Sequence, residues 1–332
     1  MELQRVDSPG PEDWSRLDRF DDRLVYQTRE WLSFIERAQG AEPVLAELRD
    51  GSEVAGYFTG LVVKRFGIPI LGSPMPGWTT AFMGFNLEPG VSRRAATEAL
   101  LDFAFGPLGC MHLELRDRHL DAEDVAGLGM EISPWHGLEL DMNGTIDEVF
   151  MSVKGPTRTA IRKAEKGGVV VDEAQPEGFA EEFHAQLTDV FAKQSLVPPY
   201  GPGRIRDLVE TVHPSGRLLL LRARNSEGDS IATGIFPGTG RWMHFLAGAS
   251  WREHQALRPN EALMWEAVRR WHERGVTACD LGGFMDYKRK WNPVEVRPPF
   301  LRRSRNPAIA RLRNAAEQAV GLRARALGKL RS

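Results

Sequence analysis

The sequence predicts an α+β protein of two similar units, each with a mixed, mostly antiparallel sheet flanked by helices. Two observations lead to this class. Short alternating segments are joined through tight-turn signals, so hairpins outnumber parallel crossovers. The first half has a helix, a hairpin, a further strand, a helix and a final strand, and this order recurs in the second half. The duplication is one of order and spacing, not of residue identity.

Length and composition support two units. The chain has 332 residues, which exceeds the ~150 that one domain typically uses. Its residues are 42% hydrophobic and 27% charged, which suffices for two cores and excludes a mainly disordered chain. We expect one domain over residues 1–150 and a second over 151–305. A basic C-terminal helix is expected over 306–332.

Two helices and five strands are predicted in the first half. One helix covers residues 30–39 and ends at Gly40, and the other follows the N-cap Ser92 and extends to Phe105. Asp50-Gly51 is a hairpin signal between two alternating segments. The predicted strands cover residues 43–48, 54–63, 68–71, 111–115 and 137–142.

The second half of the chain repeats this order of helices and strands. Leu218–Leu221 is continuously apolar, as is typical of a strand buried on both faces. A strongly amphipathic helix is predicted over 261–274, with Asn260 as its N-cap and Gly275 at its C-terminal end. The other predicted helices cover 179–192 and 205–212, and the strands cover 217–224, 230–236, 242–247 and 276–281.

Charge is distributed unevenly along the chain. The net charge is −2, yet the segment from Arg297 to the end has ten Lys or Arg and one acid, so it carries +9 and the remainder −11. A basic tail on an acidic body is typical of a chain that meets a polyanion. An apolar stripe within residues 307–330 resembles interfacial helices. We therefore expect weak contact with tRNA or anionic membranes, and the equally weighted alternative is a solvated helix packed on the acidic body.

Several classes of protein are excluded by missing patterns. No segment approaches the ~20 apolar residues of a membrane span, and residues 1–20 lack the features of a signal peptide, so we expect a cytoplasmic protein. Cys110 and Cys279 are too few for a disulfide framework, and we expect them buried and reduced. The glycine-rich nucleotide loops, the zinc-binding helix motif and the serine elbow are absent. The eight histidines are scattered, so no metal site is predicted.

The first segment that carries chemistry is a basic helix over residues 154–168. Pro156 suits an early helical position. Arg158 and Arg162 are i, i+4 neighbours on one face, with Lys154 and Lys166 flanking them. Such a stripe can grip phosphates through bidentate hydrogen bonds. From spacing alone, a solvated basic helix is the favoured alternative.

Two further segments follow in the second half. Arg258 and Asn260 flank the expected start of a helix, where free amides attract an anion; a plain capped helix is the alternative. The last segment is a strand followed by two glycines, which permit a tight turn or close approach to a ligand. A dense cluster of charged and aromatic residues comes next, and a lysine there suits stabilisation of a developing oxyanion. A basic loop is the alternative. The glycines and the cluster are Gly282, Gly283, Asp286, Tyr287 and Lys288.

Together the three segments resemble the FemABX family, within the GNAT-like acyltransferase superfamily. The basic helix has T-R-x-x-I-R-K-A at 157–164, the helix start has P-N-x-x-L-x-W-E at 259–266, and D-L-G-G at 280–283 is followed by Tyr287-Lys288. The ordered spacing of all three is more specific than any one alone. The resemblance implies two tandem GNAT-like domains, in agreement with the duplication.

The resemblance also implies an activity. Members of that family move an aminoacyl group from charged tRNA to an amine of a peptidoglycan precursor, and relatives use acyl-CoA. It places Lys288 at the tetrahedral intermediate. It gives binding roles to the basic helix (Arg158, Arg162 and Lys163) and to the helix start (Arg258 and Asn260). Family members often end the first-domain strand with an acid and a proline, but Asp117 lacks the proline, so no catalytic role is transferred to it.

The absence of a glycine-rich loop bears on which molecule donates the acyl group. Enzymes of this superfamily that use acetyl-CoA usually carry R/Q-x-x-G-x-G/A before the helix, and the equivalent segment here, 248–260, has no glycine pair near the helix. We therefore expect no bound cofactor and aminoacyl-tRNA as donor, with acetyl-CoA as the alternative. A non-catalytic binding protein on the same fold is the second alternative.

The complete hypothesis is an acyltransferase of peptidoglycan (cell-wall) biosynthesis that acts on a peptide or muropeptide amine. It is expected in the cytoplasm or at the inner face of the membrane. Asp286 or the substrate itself would take the proton. The expected catalytic residues are Lys288, Asp286 and Tyr287, and the expected substrate-binding residues are Lys154, Arg158, Arg162, Lys163, Arg258, Asn260, Gly282 and Gly283.

Overall fold

The structure, a computed structural model, describes residues 1–192 and 196–315. They form two compact units. The first contains Met1–Trp135 and the described residues from Arg297 onward, and the second is His136–Val296. Both units are α+β, with mixed, mostly antiparallel sheets flanked by helices, which confirms the predicted class.

The first unit has eight strands and four α-helices among its described residues, and the fourth helix covers residues 307–315. The strands are β1 (Glu2–Arg5), β2 (Glu42–Asp50), β3 (Glu53–Arg65), β4 (Ile68–Ser73), β5 (Gly84–Leu87), β6 (His112–Leu115), β7 (Glu131–Pro134) and, from the C-terminal part, β16 (Pro299–Ser304). The other helices are α1 (Pro11–Ser15), α2 (Arg29–Gln39) and α3 (Arg93–Phe105).

The second unit has eight strands and five helices among its described residues. The strands are β8 (Gly137–Asp141), β9 (Val170–Glu173), β10 (Leu218–Arg224), β11 (Ser230–Thr239), β12 (Trp242–His244), β13 (Ala247–Ser250), β14 (Ala278–Gly283) and β15 (Val294–Val296). The helices are α4 (Ile146–Ser152), α5 (Gly155–Lys166), α6 (Phe179–Ala192), α7 (Pro202–Val212) and α8 (Pro259–Glu273).

The two sheets have the same design. The first has the order β1-β2-β3-β4-β6-β16-β7, and the second has β9-β10-β11-β12-β14-β8-β15. The single parallel pair along each path is the fourth with the fifth strand, β4 with β6 and β12 with β14. A helix, α3 or α8, connects these strands in the chain, as a parallel connection requires. The duplication predicted from element order is therefore present in the topology.

The observed division differs from the expected boundaries at residues 150 and 305. Strand β8 already belongs to the second unit, because it pairs with β14 and β15. Strand β16 returns to the first unit, because it pairs with β6 and β7. Strand pairing between residues far apart in sequence fixes both boundaries, and local patterns do not record it.

Local signals place several helix ends correctly. Thr28 Oγ1 accepts a hydrogen bond from Trp31 N before α2, and Gly40 ends that helix with φ of 62°. Ser92 Oγ caps α3, as predicted. In α8, Trp271 is buried and its indole N–H donates to Phe236 O of β11 at 3.1 Å. This bond fixes the helix against the sheet that carries the site.

Three further expectations have mixed outcomes. The strand predicted over 242–247 is two strands, β12 and β13, for a reason given below. Both cysteines are buried and free, as predicted. Residues 307–315 of the expected C-terminal helix are helical, and the rest of that segment lies outside the described residues. Within residues 1–192 and 196–315, no helix combines the length and apolarity needed to cross a bilayer.

Candidate active site

The centre of the second unit is a place where neighbouring strands separate. Strand β12 pairs with β14 in parallel from Trp242 to His244, and Phe245 N donates to Asp280 O at 2.9 Å. The chain then turns away, and β13 pairs with β11 instead of β14. This separation is the reason that the predicted single strand is broken in two. It opens the sheet between β13 and β14.

A cavity of about 440 Å³ lies at this opening. Its walls come from β13, β14, α6, α8 and the segment after β14. The larger apolar side chains in its lining are Phe191, Phe236, Phe245, Leu263, Met264, Leu281, Met285 and Trp291. Polar groups converge on the same space from Ser250, Gln255, Asn260, Tyr287 and Lys288. An apolar cleft with a few directed polar groups is typical of a small-molecule or acyl-binding site.

Lys288 is the buried cation of this cavity. Its side chain is 8% exposed. Its ammonium donates to the main-chain oxygens of Leu281 at 2.6 Å and Gly283 at 3.1 Å. These carbonyls border a shift in register between β14 and β8. An ammonium has three N–H groups, so one remains to donate to a ligand in the cavity.

The environment of Lys288 alters its pKa. Burial lowers the pKa of the Lys288 ammonium, and the nearby Asp280 carboxylate opposes this shift. Burial also raises the pKa of the Tyr287 phenol. Shifts with a specific charged neighbour are common at functional sites, and this observation supports Lys288 as a reactive group.

A buried pair lies beneath the lysine. His244 Nδ1 is 3.2 Å from Asp280 Oδ2, and both residues are at most 2% exposed. The other carboxylate oxygen of Asp280 accepts from Gly282 N at 2.6 Å. Gly282 has φ of 79°, a conformation that favours glycine. The glycine pair singled out in the sequence is therefore a bend that turns the chain from β14 toward Lys288.

A second cavity of about 300 Å³, called the basic cavity below, lies between α5 and the start of α8 and has three cationic residues in its lining. Lys163, Arg258 and Lys290 line it, together with Glu261, which pairs with Lys290 at 2.8 Å. Lys290 lines the apolar cavity as well. The lysine therefore connects the two spaces, and both are built within the second unit.

Two arginines of the basic helix α5 contact the neighbouring helix α4. Arg158 Nη1 donates to the main-chain oxygens of Met151 at 2.5 Å and Val153 at 2.8 Å, at the end of α4. The guanidinium of Arg162 lies over the ring of Phe150, 5.1 Å from its centroid. Neither residue lines the basic cavity. These contacts hold α4 and α5 together, and the phosphate contacts expected of Arg158 and Arg162 stay a prediction.

The start of α8 differs from the expected one. Arg258 is at the N-cap with φ of 62°, and the helix begins at Pro259. Asn260 therefore lies inside the first turn, where its side-chain amide donates to Ser250 Oγ at 3.0 Å. A proline at the first helical position takes precedence over the capping preference of asparagine. Asn260 instead links α8 to the end of β13.

The remaining predicted site residues lie in different surroundings. Tyr287 is about half exposed and lines the apolar cavity. The side chain of Asp286 is 92% exposed, lies 3.8 Å from Arg289, and is not part of the cavity lining. This exposure does not support Asp286 as the proton acceptor. Lys154 precedes α5 and lines a separate surface depression of about 220 Å³.

Asp117 of the first unit is a structural carboxylate. It is 1% exposed and accepts from the main-chain N–H groups of Phe85 and His119, each at 2.8 Å. Arg93 donates to both of its oxygens at 3.2 Å. These contacts occupy the carboxylate and hold the sheet to α3, so Asp117 has a structural role in the first unit.

Sequence reasoning missed part of the site. Lys290 and Trp291 of the motif segment line the cavity without having been predicted, although the short spacing from Lys288 to Lys290 is a signal in the sequence. Phe245 and Ser250 join the cavity where β13 separates from β14, and Phe191 joins it from α6. In the part of the chain that is described, no group of three or more His, Cys, Asp or Glu is placed to hold a metal ion.

Comparisons with known proteins agree with this architecture. The family described as "Acetyltransferase (GNAT) domain" matches residues 152–289. The crystal structure of FemX aligns with a TM-score of 0.75 at 14% identity, covering 91% of this chain and 97% of that one. L-PGS from Bacillus licheniformis aligns with a TM-score of 0.54 at 14% identity over 91% and 95%. A comparison with curated protein sequences found no match.

A tandem GNAT protein from the clavulanic acid biosynthesis pathway aligns with a TM-score of 0.56 at 15% identity, over 92% of this chain and 99% of that one. At these identities the structural alignments show the fold, and the family match covers the unit that contains Lys288. Residues 152–289 of the second unit therefore match a GNAT acetyltransferase family, and the chain has the tandem fold seen in FemX and in the tandem GNAT protein.

Proposed function

We propose that the chain transfers an activated aminoacyl group from aminoacyl-tRNA to an amine, such as that of a peptidoglycan-precursor peptide. One observation carries the proposal. The ammonium of Lys288 is fixed by two main-chain oxygens at the wall of an apolar cavity, with one N–H to spare. A pre-oriented donor in a site of low polarity is worth far more to a developing oxyanion than the same group in water.

The reaction uses this donor as follows. The lone pair of the acceptor amine attacks the acyl carbonyl carbon, a C–N bond forms, and the carbonyl oxygen becomes an oxyanion that accepts the free N–H of Lys288. Collapse of the intermediate breaks the bond to the ribose oxygen of the tRNA. The amine releases one proton and the leaving oxygen takes one up, so the proton count balances. We assign this exchange to water and the substrates, because Asp286 points to solvent.

The basic cavity suits the carrier of the acyl group. Lys163 and Arg258 line it beside the first turn of α8, and a helix N-terminus with nearby cations favours phosphate oxygens. Lys290 lies in the lining of both cavities. A donor with its acyl group beside Lys288 and its phosphates beside Lys163 would occupy the two spaces together.

An acyl-CoA donor is the second candidate. The match to an acetyltransferase family favours it, and a thioester carbonyl would meet the same ammonium. The segment before α8 argues against it, because Arg258, not glycine, takes the left-handed conformation there. Glycine amides would approach a pyrophosphate more closely than a chain with side chains can.

Thermal unfolding distinguishes the donors. The protein is heated alone, with a tRNA pool, and with acetyl-CoA. A ligand at 100 times its Kd adds about 2.7 kcal/mol of stability, and each kcal/mol raises Tm by roughly 2–4 °C in a domain of this size. We expect a rise with tRNA and none with acetyl-CoA. A rise with acetyl-CoA alone overturns the tRNA donor and leaves an acyl-CoA-dependent N-acyltransferase.

A transfer assay then tests the reaction. Aminoacylated tRNA with labelled amino acids is incubated with the protein and a muropeptide that carries a free amine, and the product is identified by mass. Contact of the basic C-terminal residues with anionic membranes is a separate expectation from charge, and sedimentation with phosphatidylglycerol vesicles tests it. No product from any charged tRNA, with every acceptor amine offered, would contradict the aminoacyl transfer.

A further inference from the structure

The residues that line the apolar cavity, in addition to Lys288, indicate which kind of acyl group it binds. Aromatic and aliphatic side chains form most of its lining, and three of them, Phe236, Leu263 and Met264, are at most 3% exposed. They are therefore fixed by packing within the unit, and their shape is set before a ligand arrives. A fixed apolar wall favours an apolar ligand group, because burial removes hydrocarbon surface from water.

The charges in this lining have one sign. Among the described residues that border the cavity, Lys288 and Lys290 are the charged ones, and no Asp or Glu is present. A cationic side chain on the acyl group would bring a second positive charge, in addition to the α-amino group, near the ammonium of Lys288, and the lining offers no carboxylate to pair with it. Burying an unpaired charge is costly. The cavity thus disfavours lysyl- or arginyl-like groups relative to apolar ones.

The size of the cavity excludes the smallest groups as preferred ligands. Its volume is about 440 Å³, which lies within the range of pockets that hold small organic ligands. A hydrogen or a methyl group would leave most of the apolar wall without a partner. Each further buried methylene is worth about 0.8 kcal/mol, or roughly fourfold in affinity.

We propose that this cavity binds the side chain of the transferred acyl group, and that this side chain is a branched aliphatic or an aromatic group. With a tRNA donor this means a residue such as leucine or phenylalanine, and with a CoA donor an acyl chain of several carbons. The inference rests on the proposed function, because it takes the cavity beside Lys288 as the acyl site. It adds the chemical class of the group transferred.

Binding of simple analogues tests the inference without turnover. L-leucinamide, L-phenylalaninamide, L-alaninamide and L-lysinamide are titrated into the full chain and followed by ligand-observed NMR. We expect leucinamide and phenylalaninamide to bind at least tenfold more tightly than alaninamide and lysinamide. Equal binding of lysinamide and leucinamide overturns the proposal. Parallel titrations with hexanoyl-CoA and acetyl-CoA distinguish the two donors.

One glycine allows the cavity to be reduced. A Cβ added at Gly248 would lie 3.4 Å from the ring of Phe245, an ordinary contact distance. Gly248→Val therefore adds methyl groups beside the cavity without a backbone clash. We expect it to weaken leucinamide binding at least tenfold and to leave alaninamide binding unchanged. The matched control is Gly201→Val, at an open position outside the cavity lining.

The outcomes separate this inference from the proposed function. A preference for leucinamide that Gly248→Val abolishes supports the apolar acyl site, whatever the turnover measurements show. An unchanged preference in Gly248→Val overturns it, even if acyl transfer is demonstrated. Full turnover of Lys288→Met would instead overturn the catalytic proposal, and that assay does not depend on the choice of acyl side chain.

Discussion

A carboxylate oxygen of Asp280 accepts a hydrogen bond from the main-chain N–H of Gly282 at 2.6 Å. The partner oxygen of the same carboxylate faces the imidazole of His244. Asp280 thereby joins the parallel pair β12–β14 to the bend that carries the acceptors of Lys288. The position of the ammonium depends on this bend, because Leu281 O and Gly283 O lie on either side of Gly282.

Replacing Asp280 by asparagine should shift the pH dependence of acyl transfer. The side chain keeps an oxygen for Gly282 N, but the negative charge that raises the pKa of Lys288 is lost. If the ammonium stabilises the oxyanion, activity falls as pH rises through this pKa. The falling limb of the pH–rate profile should therefore move to lower pH in Asp280→Asn. If the falling limb stays at the same pH in a folded variant, the titration of Lys288 does not cause it.

Removal of the ammonium should reduce turnover. We expect Lys288→Met to lower kcat by about 10²- to 10³-fold, the typical effect of losing one oxyanion donor. KM should change little, because the donor acts chiefly in the transition state. Lys64→Met, at an exposed lysine on β3, is the matched control. Retention of full kcat in a folded Lys288→Met protein would remove Lys288 from the mechanism.

Arg158 and Lys163 should differ in what they affect, although both lie on α5. Arg158 makes two hydrogen bonds to the end of α4, so Arg158→Ala should lower the free energy of unfolding by about 1 kcal/mol. Lys163 is exposed and lines the basic cavity, so Lys163→Ala should leave stability unchanged and weaken tRNA binding. Urea titration and filter binding measure the two quantities. The reverse pattern would contradict the assignment.

Arg258→Gly should stabilise the protein and impair binding of the donor. A non-glycine residue with φ of 62° is strained, and glycine relieves this strain by about 1 kcal/mol. The substitution also removes a cation from the basic cavity. We therefore expect a higher Tm together with weaker tRNA binding and a smaller dependence of log K on log salt. Unaltered salt dependence would argue against a phosphate contact of Arg258.

Asp117→Ala should destabilise the first unit. The substitution leaves the partly buried guanidinium of Arg93 and two main-chain N–H groups without this acceptor, and breaking such a pair costs about 3 kcal/mol or more. Asp286→Ala, at a solvent-exposed carboxylate, should have no measurable effect on stability. Chemical denaturation of both variants checks the contrast, and equal stability would contradict the structural role of Asp117.

Local sequence signals predicted where helices begin and end, but they did not predict which residues come together in the site. The end of α2 at Gly40 and the cap at Ser92 depend on neighbouring residues alone, and both were read correctly. The break between β12 and β13 was missed, because it depends on which strand each segment pairs with. The same applies to β16, whose partners β6 and β7 are far away in the sequence.

The sequence by itself determined the class of the fold, its duplication and the segment that holds Lys288. These features follow from periodicity, turn residues and short-range spacing, which act within a few residues. Only the tertiary structure decided that Lys288 meets Leu281 O and Gly283 O beside an apolar cavity, and that Arg158 donates to main-chain oxygens at the end of α4. Those outcomes depend on contacts between segments that fold together, and such contacts are fixed by packing and strand register.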